Sequence, residues 1–299
     1  MRPDRTCFDR RALIGAGAAA AFAGPQALAA TRSQGAQQNL RALERWVGGR
    51  LGLAALNTGS NRWLAYRADE RFPMCSTFKW LAAAAVLARV DRGVERLDRR
   101  IAYSKADLLF NSPTTQARVG EGAMPLGDLC AAAITLSDNG AANLLLTSLG
   151  GPAGLTRWLR SIGDAGTRLD RNEPTLNTAI PGDPRDTTKP EASIADLRRI
   201  LLGKTLSDAS RLQLTGWMIA NKTGDRRLRA GLPKDWRVGD KTGTGVHATS
   251  NDVAIAWPPS WPPILIAAYL TGGEAPDATR EAALAEMAQI VVSALGPGR

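Results

Sequence analysis

Pro73-Met74-Cys75-Ser76-Thr77-Phe78-Lys79-Trp80 runs directly into Leu81-Ala82-Ala83-Ala84-Ala85-Val86-Leu87-Ala88-Arg89-Val90, and the rest of the chain is organised around this stretch. Alanine and leucine are strong helix formers, a proline precedes the run and Gly93 follows it, so a helix is predicted from about Ser76 to about Asp91. Residues three apart share a helix face, which puts the Lys79 amine within reach of the Ser76 hydroxyl. A serine hydroxyl becomes a competent nucleophile when a neighbouring base takes its proton. The start of a helix adds unpaired N–H groups and partial positive charge, both suited to an oxyanion beside Ser76. A Ser-x-x-Lys pair also arises by chance, so its weight depends on what accompanies it.

Upstream, Leu40, Leu43, Trp46 and Val47 have helical spacing and Gly48-Gly49 ends them. Arg50 to Asn57 and Trp63 to Tyr66 read as two strands of a hairpin joined through Thr58-Gly59-Ser60-Asn61. Before them, Arg10-Arg11 precede a short Ala/Gly-rich apolar run, and Ala27-Leu28-Ala29 offers a small-x-small cleavage site. Residues 1–29 therefore read as an export leader, through the general secretory or the twin-arginine route, giving a periplasmic or secreted protein. The apolar run is too short and too rich in small residues for a good spanning helix, and stable membrane insertion is not expected.

Downstream of Pro73 the signals are helical: Leu126–Leu136, Gly140–Leu149, Pro152–Ile162 and Ser193–Leu202. A proline-rich segment from Asp170 to Asp186 interrupts them, and a loop that long inside a compact domain is usually functional. From Arg237 strands return, around Val238, Asp252–Trp257 and Ile264–Leu270, and Ala278–Leu295 is a last amphipathic helix. Strands at both chain ends with helices between predict an α/β (α+β) fold: an antiparallel sheet flanked by helices and assembled from 30–68 and 220–299, with an all-α domain of 69–219 inserted. The active site is expected between them.

The 299 residues are 44% hydrophobic and 22% charged, an ordinary globular composition. The net charge of +10 has no Lys/Arg block and no interleaved aromatics, so it reads as a solvated basic surface; no nucleic-acid partner is expected, and a positive field favours anionic substrates. His247 is the sole histidine, which removes a Ser-His-Asp triad with a second anchoring histidine and any multi-histidine zinc site. No metal or cofactor is called for. Cys7 leaves with the leader, and Cys75 and Cys130 are expected as buried free thiols.

Four further pieces follow Ser76 and Lys79 in order: Ser137-Asp138-Asn139, Glu173 with Asn177, Arg227, and Lys241-Thr242-Gly243-Thr244-Gly245. Together they resemble the class A serine β-lactamases, with Ser-x-x-Lys, Ser-Asp-Asn, Glu-x-x-x-Asn and Lys-Thr-Gly in matching order over essentially the whole mature chain. The resemblance implies a monomeric enzyme whose partner is a small β-lactam and which confers resistance. Ser76 would be the nucleophile, either Lys79 or Glu173 with its water the base for acylation, Ser137 a proton relay to the lactam nitrogen, and Glu173 the carboxylate that activates water for deacylation. Asn139 and Asn177 would bind substrate and water, and Lys241, Thr242, Gly243, Thr244 and Arg227 would hold the substrate carboxylate and carbonyl. Asp138 is expected to be structural, and Arg171 and Asp186 to pair across the neck of the loop.

Two positions depart from the family pattern. Asn111 stands where an aromatic residue usually lines the cleft, with Phe110 just before it, and Gly245 stands where carbapenem-hydrolysing members often place a partner for Cys75. Penicillins and cephalosporins are therefore the expected substrates. A D-alanyl-D-alanine peptidase would share three of the motifs but lack Glu-x-x-x-Asn. A β-lactam sensor domain would stay acylated and be tethered by membrane helices. Mass spectrometry of the exported protein should show residues 1–29 removed; an intact Met1 would overturn the leader.

Overall fold

Leu40, Leu43 and Val47 place one apolar face of helix α1 (Pro25–Val47) against the sheet, while Trp46 points outward. The computed structural model describes residues 25–296, and side chains from residue 34 onward. Helix α1 thus begins well ahead of the Leu40–Val47 pattern and includes the predicted cleavage site; the remainder of the predicted leader lies outside the described residues. The hairpin forms as expected from β1 (Arg50–Asn57) and β2 (Arg62–Tyr66).

After a two-residue strand β3 (Phe72–Pro73), a tight 3-10 turn over Cys75–Thr77 leads into α2 (Phe78–Asp91). The predicted helix therefore holds, with Ser76 in the tighter turn ahead of it. Every residue of α2 from Phe78 to Ala88 is buried, Lys79 among them, so this helix is the axis of the helical half. The chain continues through β4 (Arg100–Ala102), α3 (Pro113–Ala117), β5 (Ala123–Pro125), α4 (Leu126–Thr135), α5 (Asn139–Leu149) and α6 (Gly151–Ser161). The long loop follows. Beyond it lie β6 (Thr187–Thr188), which pairs with β3, and α7 (Pro190–Leu197) with a π turn over Arg198–Leu202.

Helix α8 (Asp208–Ile219) has no counterpart among the predicted elements. Its buried residues are only Ser210, Leu214 and Met218, a stripe too narrow to stand out, and Leu212 faces solvent. A short α9 (Leu228–Gly231) precedes β7 (Arg237–Gly245), β8 (Thr249–Trp257), β9 (Ile264–Thr271) and α10 (Asp277–Leu295).

The sheet is antiparallel throughout in the order β2-β1-β9-β8-β7. Strands from the two chain ends meet where β1 pairs with β9 over Arg50–Thr271 to Asn57–Ile264. The period-two alternation sorts side chains onto two faces. Leu51, Leu53, Ile264, Ile266 and Leu270 join a core with α1 and α10, whereas Ala54, Leu56, Leu265, Ala267 and Tyr269 join the core around α2. Strand β7 is left at the edge, beside the turn that carries Ser76.

Gly231 fixes where α9 crosses α10. A Cβ there would lie 1.8 Å from the Ala285 carbonyl oxygen, which is backbone and has no rotamer to yield. Gly231→Ala is expected to cost about 1–3 kcal/mol, the range for overpacking, and to lower the urea midpoint at unchanged m-value.

Candidate active site

A cleft of about 570 Å³ opens between β7 and the helices, lined by Ser76, Ser137, Asn139, Asn177, Arg227, Thr242, Gly243, Thr244 and Gly245 among others. Eight of the residues predicted from sequence thus line one concavity, and the remaining three, Lys79, Glu173 and Lys241, are buried beneath it.

Ser76 sits in the 3-10 turn that opens α2, with Cys75 before it at φ 47°. Its hydroxyl donates to Glu173 Oε1 at 3.2 Å. The direct Lys79–Ser76 hydrogen bond expected from the i, i+3 spacing is not found among the described residues. Lys79 is occupied instead: its Nζ donates to Asn139 Oδ1 at 2.6 Å and to the Ser137 carbonyl at 2.9 Å, and lies 3.0 Å from Glu173 Oε1. An ammonium has three protons, and the Asn139, Ser137 and Glu173 oxygens share them. Glu173 therefore stands between the lysine and the serine, with both side chains of the Lys79–Glu173 pair fully buried.

Ser137 lies at the turn between α4 and α5 with φ 56°. Its hydroxyl accepts from Lys241 Nζ at 3.1 Å and from Lys79 Nζ at 3.3 Å, which makes it the bridge between the two amines. Burial depresses both lysines. For Lys241 the nearby Lys79 charge adds to the effect, and for Lys79 the Glu173 carboxylate opposes it. Desolvation disfavours the charged form of any amine, and both depressed amines meet at the Ser137 hydroxyl.

The expected structural role of Asp138 is what the structure shows. Its carboxylate accepts from the N–H groups of Thr114, Thr115 and Ala141 and from the Thr115 hydroxyl, and it caps α5. This pins the Ser137 turn to the segment containing Asn111, whose Nδ2 donates to the Ser137 carbonyl at 3.0 Å. Phe110 is 92% exposed at the cleft rim.

The loop that carries Glu173 is closed by Arg171 and Asp186, as expected: Arg171 Nε lies 2.5 Å from Asp186 Oδ2, and Asp186 Oδ1 accepts the N–H groups of Asp170 and Arg171. Asn177 Nδ2 donates to Glu173 Oε2, so the two carboxylate oxygens are divided between Asn177 and the Ser76–Lys79 side.

Arg227 is buried and donates to the carbonyls of Gly243 and Asn251, both at 2.8 Å, and to Thr244 Oγ1 at 2.7 Å. The neighbouring Arg226 is exposed and lies 3.9 Å from Glu281, which singles out Arg227 as the cleft arginine. Strand β7 is pressed against the Ser76 turn: a Cβ at Gly243 would stand 2.6 Å from the Met74 carbonyl, and one at Gly245 would stand 2.6 Å from Cys75 Sγ. Cys75 and Cys130 are buried and free, as expected, and burial pushes both thiols well above their ordinary range.

Sequence reading missed three contributors. Asn143 brackets the Glu173 backbone, accepting its N–H at 2.9 Å and donating to its carbonyl at 3.0 Å. Its only signal was its place one turn after Asn139. The Thr223 hydroxyl bonds that of Thr242 at 2.5 Å, and Arg280 of α10 donates to Ser250 Oγ at 2.9 Å. Both contacts are made across elements distant in sequence.

A hydroxyl held by a carboxylate, flanked by two buried amines and facing an edge strand, fits a serine hydrolase that works through an ester. Residues 35–295 match the model of the β-lactamase enzyme family. The chain is 52% identical to the β-lactamase AST-1 of Nocardia asteroides, covering 89% of this chain and 86% of that protein. It is 49% identical to the β-lactamase CTX-M-97 of Escherichia coli over 85% of this chain and 87% of that protein. A solved ancestral class A β-lactamase superposes with a TM-score of 0.85 at 62% identity, covering 87% of this chain and 99% of that one. The chain belongs to the class A serine β-lactamases, hydrolyses the amide of β-lactam antibiotics and so confers resistance.

Asn143→Ala keeps the Glu173 carboxylate but releases its backbone, which lets the carboxylate shift. A misplacement of this order costs about 10²-fold in the step that depends on the group, so the deacylation rate should fall by that factor in stopped-flow traces, with acylation little changed.

Proposed function

We propose that Ser76 attacks the lactam carbonyl and forms an ester as the ring C–N bond breaks. The serine proton passes to the lactam nitrogen through Ser137, which the two lysines hold. The N–H groups of Ser76 and Thr244 cradle the developing oxyanion. Lys241, Thr242, Thr244 and Arg227 bind the substrate carboxylate, with Arg227 acting through Thr244, and Gly243 lets the ligand approach the strand. Asn139 binds the acylamide carbonyl. Water held by Glu173 and Asn177 then loses a proton to Glu173, attacks the ester and releases the acid, and the proton returns to Ser76.

The observation that carries this reading is the contact of Ser76 Oγ with Glu173 Oε1 at 3.2 Å, with Asn177 on the other carboxylate oxygen. It joins nucleophile and water-activating acid in one site, which a peptidase without Glu-x-x-x-Asn would not have. Penicillins and cephalosporins are the proposed substrates, because Gly245 leaves Cys75 unpaired. We also read residues 1–29 as an export leader, 30–68 with 220–299 as the α/β domain and 69–219 as the all-α domain of a periplasmic or secreted monomer.

Glu173→Ala removes a general base worth about 10²–10⁴-fold. Mass spectrometry after mixing with benzylpenicillin should show the intact drug's mass added to the peptide containing Ser76, persisting for minutes, and Ser76→Gly should abolish the adduct. Unchanged steady-state turnover by Glu173→Ala would overturn the assignment.

A further inference from the structure

Two carboxyl groups outside the cleft are buried where the limbs of the Glu173 loop join the helices. Asp164 lies in the turn after α6, ahead of the inbound limb, and Asp196 lies on α7, beyond the outbound one; they are 3% and 0% exposed. The two side chains are in hydrogen-bond contact with each other. Among the described residues no N–H or O–H group donates to Asp164 Oδ2 or to Asp196 Oδ2. Two carboxylates in contact away from water repel and leave lone pairs unmet, unless a proton lies between them.

The surroundings decide which group holds it. Asp164 Oδ1 accepts the N–H groups of Gly166 at 2.7 Å and Thr167 at 3.0 Å, so it is already engaged as an acceptor. Asp196 has only Arg199 Nη1, at 3.4 Å from its Oδ1. We propose that Asp196 is protonated and donates to Asp164, forming a second clasp, besides Arg171–Asp186, on the loop that carries Glu173, and that the pair are positioning residues for deacylation.

The route from this clasp to the site is continuous. Thr167 and Thr188 share a hydroxyl contact at 2.7 Å, and Arg168 N–H donates to the Thr187 carbonyl at 2.9 Å. Thr187–Thr188 pairs with Phe72–Pro73, three residues before Ser76 at its near end. The clasp therefore holds both limbs of the loop and the strand that leads to the nucleophile.

Other charged groups around the pair come from every neighbouring element. Arg160 of α6 donates to the Asp164 carbonyl; Arg71, Lys189, Glu191 and Arg199 line the adjoining cleft; and the Tyr269 phenol of β9 lies nearby. Burial first, and then Asp164, raise Asp196 well above the ordinary carboxylate range. With the folded value above the unfolded one, the stabilisation is complete below the ordinary Asp pKa and is lost as pH rises through the raised value. The clasp opens in alkali.

Asp196→Asn keeps a donor toward Asp164 but cannot ionise. Three measurements test the proposal. In the infrared difference of wild type minus Asp196→Asn at pH 7, a protonated-carboxyl C=O band is expected; its absence overturns the shared proton. The kcat ratio of Asp196→Asn to wild type, which cancels alkaline effects common to both, should be near one at pH 6 and rise about tenfold by pH 10, the scale of a small misplacement of a catalytic group; a flat ratio overturns the positioning role. Asp196→Ala should slow deacylation more than acylation, and equal slowing of both overturns that role; should this variant not fold, the asparagine variant carries the test. The positioning role rests on Glu173 acting in deacylation, but the infrared band does not, so failure of the Glu173 assignment would leave the band in place and show itself in Glu173→Ala.

Discussion

The contact between Lys79 and Glu173, 3.0 Å apart with neither side chain exposed, is the constraint on which the site depends. Bringing two charges out of water costs several kcal/mol per ion, and attraction offsets that only where the remaining protons and lone pairs are met. Here they are met from four directions: Asn139 and the Ser137 carbonyl on the lysine, Ser76 and Asn177 on the carboxylate. The residues that satisfy the pair are those assigned to binding and chemistry. Removing any one of them leaves a buried polar group unmatched, so catalytic geometry and local stability are maintained by the same bonds.

A second buried amine, Lys241, lies across the Ser137 hydroxyl from the first. Its presence follows from the sheet. Because β7 is an edge strand, one side of it is free to line a cleft, and its glycines allow it to sit against the Met74 carbonyl and the Ser76 turn. Two like charges near one hydroxyl weaken each other's hold on protons. That electrostatic tension is what supports the relay role proposed for Ser137, which is otherwise an ordinary alcohol.

Glu173 belongs to a loop and not to a helix or strand, and loops are ordinarily the mobile part of a fold. Its precision comes from ties at different depths: the Asn143 amide on its backbone, Arg171 and Asp186 at the neck, and the Asp164–Asp196 contact where the limbs meet the helices. Each tie joins segments that are adjacent in space and well separated along the chain. The loop carries three prolines in its sequence, but its placement is set by these polar contacts with helices α5 and α7.

The sequence by itself determined the elements whose cause is local. The alanine-rich run after Ser76 had to be a buried helix, the apolar runs at both chain ends had to be strands, and the ordered motifs at Ser76, Lys79, Ser137, Glu173 and Lys241 carried the resemblance to the family. Helix α8 escaped notice because its buried stripe is only three residues wide, and the paired two-residue strands were too short to leave any periodicity. Only the tertiary structure decided that Lys79 binds Asn139, Ser137 and Glu173 in place of Ser76, that Arg227 donates to Thr244 while Arg226 faces water, and that Asp164 meets Asp196. Periodicity and spacing report what neighbours on one element do. Which proton acceptor an amine selects, and which carboxyl must keep its proton, depend on atoms brought together from segments far apart in the chain.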